Sequence, residues 1–162
     1  LAADGEILLQ KIVSGGQTGA DRAALDFAIG AKLATGGWVP HGRRAEDGKI
    51  PARYAGLVET DTDAYEHRTA LNVRDADATL IFSYGEPTSG TALTLKLARS
   101  TAKPHLVVDL GVLTEDEAAA RIRSWLIATR IRVLNVAGPR ASREPRIGAA
   151  VTRVLEAALA DR

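Results

Sequence analysis

Short apolar runs along this chain alternate with segments whose apolar positions recur every three or four residues. The runs at residues 8–13, 35–39, 78–83, 105–109 and 131–137 are rich in Val, Ile and Leu and bounded by turn-forming or charged residues, so each predicts a strand. Between them, Leu25, Ile29 and Leu33 recur at a spacing of four, Leu93, Leu95 and Leu97 mark a second helix, and Ile147, Val151, Val154, Leu155 and Leu159 stripe a last one. In "TEDEAAARIRSWL", Thr114 and Glu117 form a capping-box pattern ahead of Ile122, Trp125 and Leu126. Strands alternating with helices predict a parallel sheet covered on both faces. The expected fold is an α/β, Rossmann-like three-layer sandwich with a mainly parallel sheet of about five or more strands, formed by residues 1–162 as a single domain. Residues 40–62 break the pattern, with little periodicity and many Gly, Pro and charged residues. They read as a long functional loop.

Composition narrows the function classes. Hydrophobic residues make up 46% and charged residues 25%, and the net charge is +1, a balance that points away from nucleic acid. Positive charge gathers only locally, at Arg43 and Arg44 and from Arg140 to Arg146, which suits a small anion better than a duplex. The chain has no Cys, so it has neither disulfides nor thiolate metal ligands nor a cysteine nucleophile. No apolar run approaches the roughly 20 residues of a membrane span, and "LAADGEILLQ" lacks the features of a signal peptide. The expectations are a cytoplasmic protein with no membrane partner, a small phosphate-bearing ligand, and a homo-oligomer on symmetry grounds.

In such folds ligands bind at the carboxyl ends of the strands. The first strand runs into "SGGQTGADR", where Gly15, Gly16, Gln17, Thr18, Gly19 and Asp21 precede a helix. Glycines there allow close approach of an anion to free backbone amides, although a tight structural turn also uses glycine. The spacing is neither that of a dinucleotide fingerprint nor that of a P-loop. The second strand leads to Arg43 and Arg44, suited to an oxyanion. The third leads through Gly85 to Ser89, Gly90 and Thr91 at the start of a helix, a second anion-binding candidate. Before it, Tyr65, Arg68 or Thr69, and Asn72 fall on one helix face, with Glu59 and Thr60 expected near the same edge. The fifth strand leads to Asn135, Gly138 and Arg140. A mononucleotide, or a cofactor joining one phosphate to a flat heterocycle, would span the two cradles.

Taken together, "SGGQTGADRAALD", "GGWVPHGRRAEDGKIP", "ETDTDAYEHRTALNVRDADATLIF", "GEPTSGTALT" and "LNVAGPR" resemble the molybdenum carrier family. That family belongs to a wider superfamily of Rossmann-like nucleotide-binding proteins related to lysine-decarboxylase-like phosphoribohydrolases. The resemblance implies the fold and a nucleotide-like site, with molybdenum cofactor (molybdopterin) or a nucleotide as the ligand. The phosphoribohydrolases carry a motif of the form PGGxGTxxE. Placing Gly90 and Thr91 on its GT puts Thr94 where the catalytic Glu stands. A Thr cannot manage protons at neutral pH, so binding without catalysis is expected. The alternative is a nucleoside-monophosphate phosphoribohydrolase-like hydrolase in which Glu86 or Asp21 substitutes for the missing acid. His41, His67 and His105 show no metal-ligand spacing, so any molybdenum would be carried by the pterin.

Overall fold

The computed structural model describes residues 5–160. Strand β1 (Lys11–Val13) turns through residues 14–19 into helix α1 (Ala20–Gly30), and β2 (Ala34–Val39) returns parallel to β1. Beyond β2 the expected long loop is structured. It holds a 3-10 turn at His41–Arg43, a hairpin of β3 (Arg44–Ala45) and β4 (Gly48–Lys49), and strand β5 (Leu57–Glu59), which pairs parallel to β2. At three half-exposed or exposed residues, β5 is too short for its alternation to show. Helix α2 (Tyr65–Asp75), β6 (Ala78–Ser83), α3 (Ser89–Arg99), β7 (His105–Asp109), α4 (Glu115–Thr129), β8 (Val133–Ala137) and α5 (Ile147–Ala158) complete the chain.

Six parallel strands form the main sheet, in the order β5-β2-β1-β8-β6-β7. Helices α1, α4 and α5 cover one face, over a core that includes Ile12, Leu80, Phe82, Leu134 and Val136. Helices α2 and α3 cover the other. Strand alternation turns Thr79 and Asn135 toward that second face, where Thr69, Asn72, Thr91 and Thr94 are also buried. One side of the sheet is therefore an apolar core, and the other mixes these buried polar residues with apolar ones such as Ile81, Val73 and Ala98.

The strand order has a simple logic when read from β8. Outward from it lie β1, β2 and β5 on one side and β6 and β7 on the other, each in chain order. The chain leaves β1 and β6 in opposite directions, so a crevice opens at the carboxyl end of β8, the topological switch point.

Local departures from the sequence pattern have local causes. Ile29 is 47% exposed, because α1 packs through Ala20, Ala23, Ala24 and Ala28, which let α5 approach closely. The leucines of α3 stay partly exposed while Thr91, Thr94 and Ala98 are buried. Strand β8 begins two residues later than expected, and the Asp77 carboxylate accepts from the amides of Arg132 (3.0 Å) and Val133 (2.9 Å). The capping box is formed, with Thr114 and Glu117 exchanging two bonds of 3.1 Å. No helix among the described residues is long and apolar enough to cross a membrane.

Candidate ligand-binding site

The glycine loop after β1 is packed by the chain itself. A Cβ on Gly15 would fall 1.9 Å from Arg68 Nη1, and one on Gly19, at φ 82°, would fall 2.4 Å from the Pro139 carbonyl. Gly16 sits against Ile50. The Ala20 amide donates to the Pro139 carbonyl (3.2 Å), so the loop after β8 meets the start of α1. Thr18 donates its hydroxyl to Glu46 and accepts from the Ala141 amide (3.2 Å), while Arg22 pairs with Asp47. The hairpin thus clasps the loop from outside. Of this first cradle, the side chains that reach the crevice are those of Gln17 and Asp21.

A cavity of about 400 Å³ occupies the switch point. At its base lie Gln17, Asp21, Arg68 and Ser83; Ser89, Gly90 and Thr91 line it from the start of α3, and Gly138, Arg140 and Arg143 from the loop after β8. The first amides of α3 precede its hydrogen-bonded ladder, and the Thr91 amide turns back to the Thr88 carbonyl (3.1 Å). The Tyr65 ring stands at the edge, with the guanidinium of Arg140 4.5 Å from its centroid and those of Arg44 and Arg68 each at 5.7 Å.

Three buried side-chain atoms among these residues have no hydrogen-bond partner: Gln17 Oε1, Arg68 Nε and Ser83 Oγ. An orphaned buried polar atom costs about 1–3 kcal/mol. The three belong to residues that line the cavity, and the atoms themselves are closed to solvent. Gln17 is held in one orientation, since its Nε2 donates to the carbonyls of Gly15 (3.3 Å) and Arg44 (3.0 Å). Two carbonyls can be met only by the amino end, so Oε1 is left as a fixed acceptor. Asp21 Oδ2 accepts from the Gln17 amide (3.2 Å) and lies 3.8 Å from Arg68 Nη1. Burial pushes the Asp21 carboxyl up from its ordinary value, and the nearby charge of Arg68 opposes that shift.

Several residues singled out from the sequence lie elsewhere. Arg43 donates to the Ile50 (3.0 Å) and Pro51 (2.8 Å) carbonyls, and Arg44 pairs with Asp63 (3.0 Å), so neither lines the cavity. Asn72 clasps β2, accepting from the Trp38 amide (2.7 Å) and donating to the Trp38 carbonyl (3.0 Å). The Gly85 amide is bound to Asp109 (2.8 Å). Glu59 accepts from the Gly42 amide (2.6 Å), Thr60 bonds Thr62 (2.7 Å), and Asn135 bonds Thr79 (3.4 Å). Sequence reasoning missed Ser83 and saw Arg143 only as part of the basic run from Arg140 to Arg146. The signal for Ser83 was available, as the one polar ending of a strand otherwise buried and apolar apart from Thr79.

Residues 12–159 match the circularly permutated YpsA SLOG family. The chain belongs to this family. Its sheet order fits the description: moving β8 and α5 ahead of β1 would number the strands outward from one central strand on both sides. This family member is also similar to a crystal structure named "Putative molybdenum carrier protein" from Syntrophus aciditrophicus. The two are 49% identical, with a TM-score of 0.92 over 94% of this chain and 96% of that one. No curated protein matches the chain.

Proposed function

We propose that the cavity binds a small ligand joining a phosphate to a flat heterocycle, a nucleotide or a pterin, and that it does so without catalysis. The observation that carries this reading is one cavity at the switch point that gathers Arg68, Arg140 and Arg143 with the start of α3. The phosphate is assigned to Ser89, Gly90 and Thr91, where the first amides of the helix, two hydroxyls and the positive end of α3 coincide, the Thr91 amide being turned to Thr88. The ring is assigned to the base of the cavity. Thr94, at the position of the phosphoribohydrolase acid, spends its hydroxyl on the Gly90 carbonyl (3.0 Å), which supports binding alone.

The name of the Syntrophus relative supports a molybdenum-bearing cargo. Among the described residues no group of three or more His, Cys, Asp or Glu is arranged to hold a metal, so a molybdenum-carrying pterin would be gripped by its ring and phosphate. We place this binding in the cytoplasm, in a homo-oligomer, to be checked by sedimentation. The test of the reading is thermal unfolding with nucleotides and pterin monophosphates: a ligand at 100 times its dissociation constant adds about 2.7 kcal/mol. The hydrolase alternative draws on Asp21 and Glu86, which both line the cavity. Release of free base from a nucleoside monophosphate, abolished by changing either acid, is the outcome that would establish it.

A further inference from the structure

We infer that Glu46, in the turn of the β3–β4 hairpin, is a positioning residue that sets the arginine loop after β8 for an anionic ligand. This rests on the binding reading above and adds to it a residue that does not itself line the cavity. The Glu46 carboxylate accepts from the Thr18 hydroxyl, from the Ser142 hydroxyl and from the Ser142 amide (3.2 Å). Thr18 in turn accepts from the Ala141 amide (3.2 Å). One carboxylate therefore joins the loop after β1 to the loop after β8. The two amides it holds, directly or through Thr18, are those of the residues between Arg140 and Arg143, and both arginines line the cavity.

The surrounding contacts make this a fixed frame. The amides of Arg143 and Glu144 both donate to the Arg140 carbonyl (3.1 Å each), so the loop is a single turn with Ser142 at its middle. The hairpin has its own anchor on the glycine loop, since Arg22 donates through Nε to the Gly16 carbonyl (3.0 Å) and through Nη2 to Asp47 (2.8 Å). By charge alone, a carboxylate beside an arginine loop opposes an anionic ligand. Its hydrogen bonds act in the other direction, because a loop already ordered does not lose that freedom when the ligand binds. The two effects have opposite signs, so an experiment can separate them.

The test is calorimetric titration of guanosine monophosphate and a pterin monophosphate into the native protein, Glu46→Ala and Glu46→Gln, each checked for folding by circular dichroism. Glu46→Ala frees the loop and should bind about tenfold more weakly, the low end of what one hydrogen bond to a charged group contributes. Glu46→Gln should bind as the native protein does. Its oxygen accepts from Thr18 and the Ser142 amide, and the Ser142 hydroxyl can turn to accept from its amino group. Hydrogen exchange without ligand should show the Ala141 and Ser142 amides losing protection in Glu46→Ala and keeping it in Glu46→Gln. Equal or tighter binding by Glu46→Ala, binding by Glu46→Gln as weak as that by Glu46→Ala, or unchanged exchange in Glu46→Ala overturns the inference and leaves the binding reading standing. Native protein that binds neither phosphate removes the binding reading and this inference together.

Discussion

Asp21 and Arg68 face each other at the base of the cavity with Oδ2 and Nη1 3.8 Å apart, their side chains 6% and 14% exposed. The two charges attract across this distance, yet no hydrogen bond joins them. Both residues line the cavity, Asp21 accepts from the Gln17 amide, and Arg68 Nε has no hydrogen-bond partner. Asn72, Thr69 and Thr94 nearby are all internally bonded, whereas Arg68 Nε is not.

The pair makes stability depend on pH in an unusual sense. Burial raises the Asp21 carboxyl above 3.8, so the folded state binds its proton more tightly than the unfolded state does. Its contribution is fully present below 3.8 and is lost as pH rises through the raised folded value. Asp21→Asn stays neutral throughout. Urea midpoints of both proteins across this window should diverge in favour of the variant by about 1.4 kcal/mol per unit of upward shift. A flat difference, or a slope of opposite sign, would show that Arg68 outweighs burial.

Thr91 offers the cleanest test of the phosphate end. Thr91 lines the cavity at the start of α3, as does Thr94, whose hydroxyl is bound to Gly90. Thr91→Val keeps the branched shape and should leave the fold intact, as circular dichroism can verify. Affinity for a nucleoside monophosphate should fall by about 1.5–3 kcal/mol, the range for a hydrogen bond to a charged group. Unchanged affinity would return Thr91 to the helix interface.

Asn72 should behave in the opposite way. Its amide satisfies both backbone groups of Trp38 while 2% exposed. Asn72→Ala should cost about 1–3 kcal/mol in chemical denaturation by stranding those groups. The folded fraction should still bind ligand with native affinity. A loss of binding without loss of stability would place Asn72 in the site after all.

Gly19 joins the glycine loop to the loop that carries Arg140. With φ 82° and the Pro139 carbonyl 2.4 Å from any added Cβ, Gly19→Ala should destabilise the protein by more than about 1 kcal/mol. Differential scanning calorimetry reads this as a lower unfolding temperature. An unchanged temperature would mean that the loop after β8 yields freely.

How far the sequence could be read depended on the range of the forces involved. Burial on one or both faces writes itself into local periodicity, so the buried strand β6 and the stripe of α5 were legible residue by residue. The edge strand β5 and the tiny hairpin were not, since their pairing partners lie far away in sequence and their own residues are mostly exposed. The same distinction runs through the site. Ser89, Gly90 and Thr91 were visible because a helix start announces its own chemistry. Gly15 and Gly19 were visible as glycines, but only the fold shows that Arg68 and Pro139 press against them. Arg43 and Arg44 look alike in sequence to Arg140 and Arg143, and only the strand order places the second pair on the cavity.

The most direct measurement of ligand binding at this cavity is a calorimetric titration of guanosine monophosphate and a pterin monophosphate into the native protein and into Gly90→Trp. A Cβ added at Gly90 meets no atom within 4 Å, so the fold should tolerate the start of a side chain there, and the indole is expected to fill the space given to the ligand. Saturable binding at one site per chain in the native protein, abolished in the folded variant, is the expected result. Absence of binding in the native protein, or equal binding in both, would contradict a ligand site between α3 and the loop after β8.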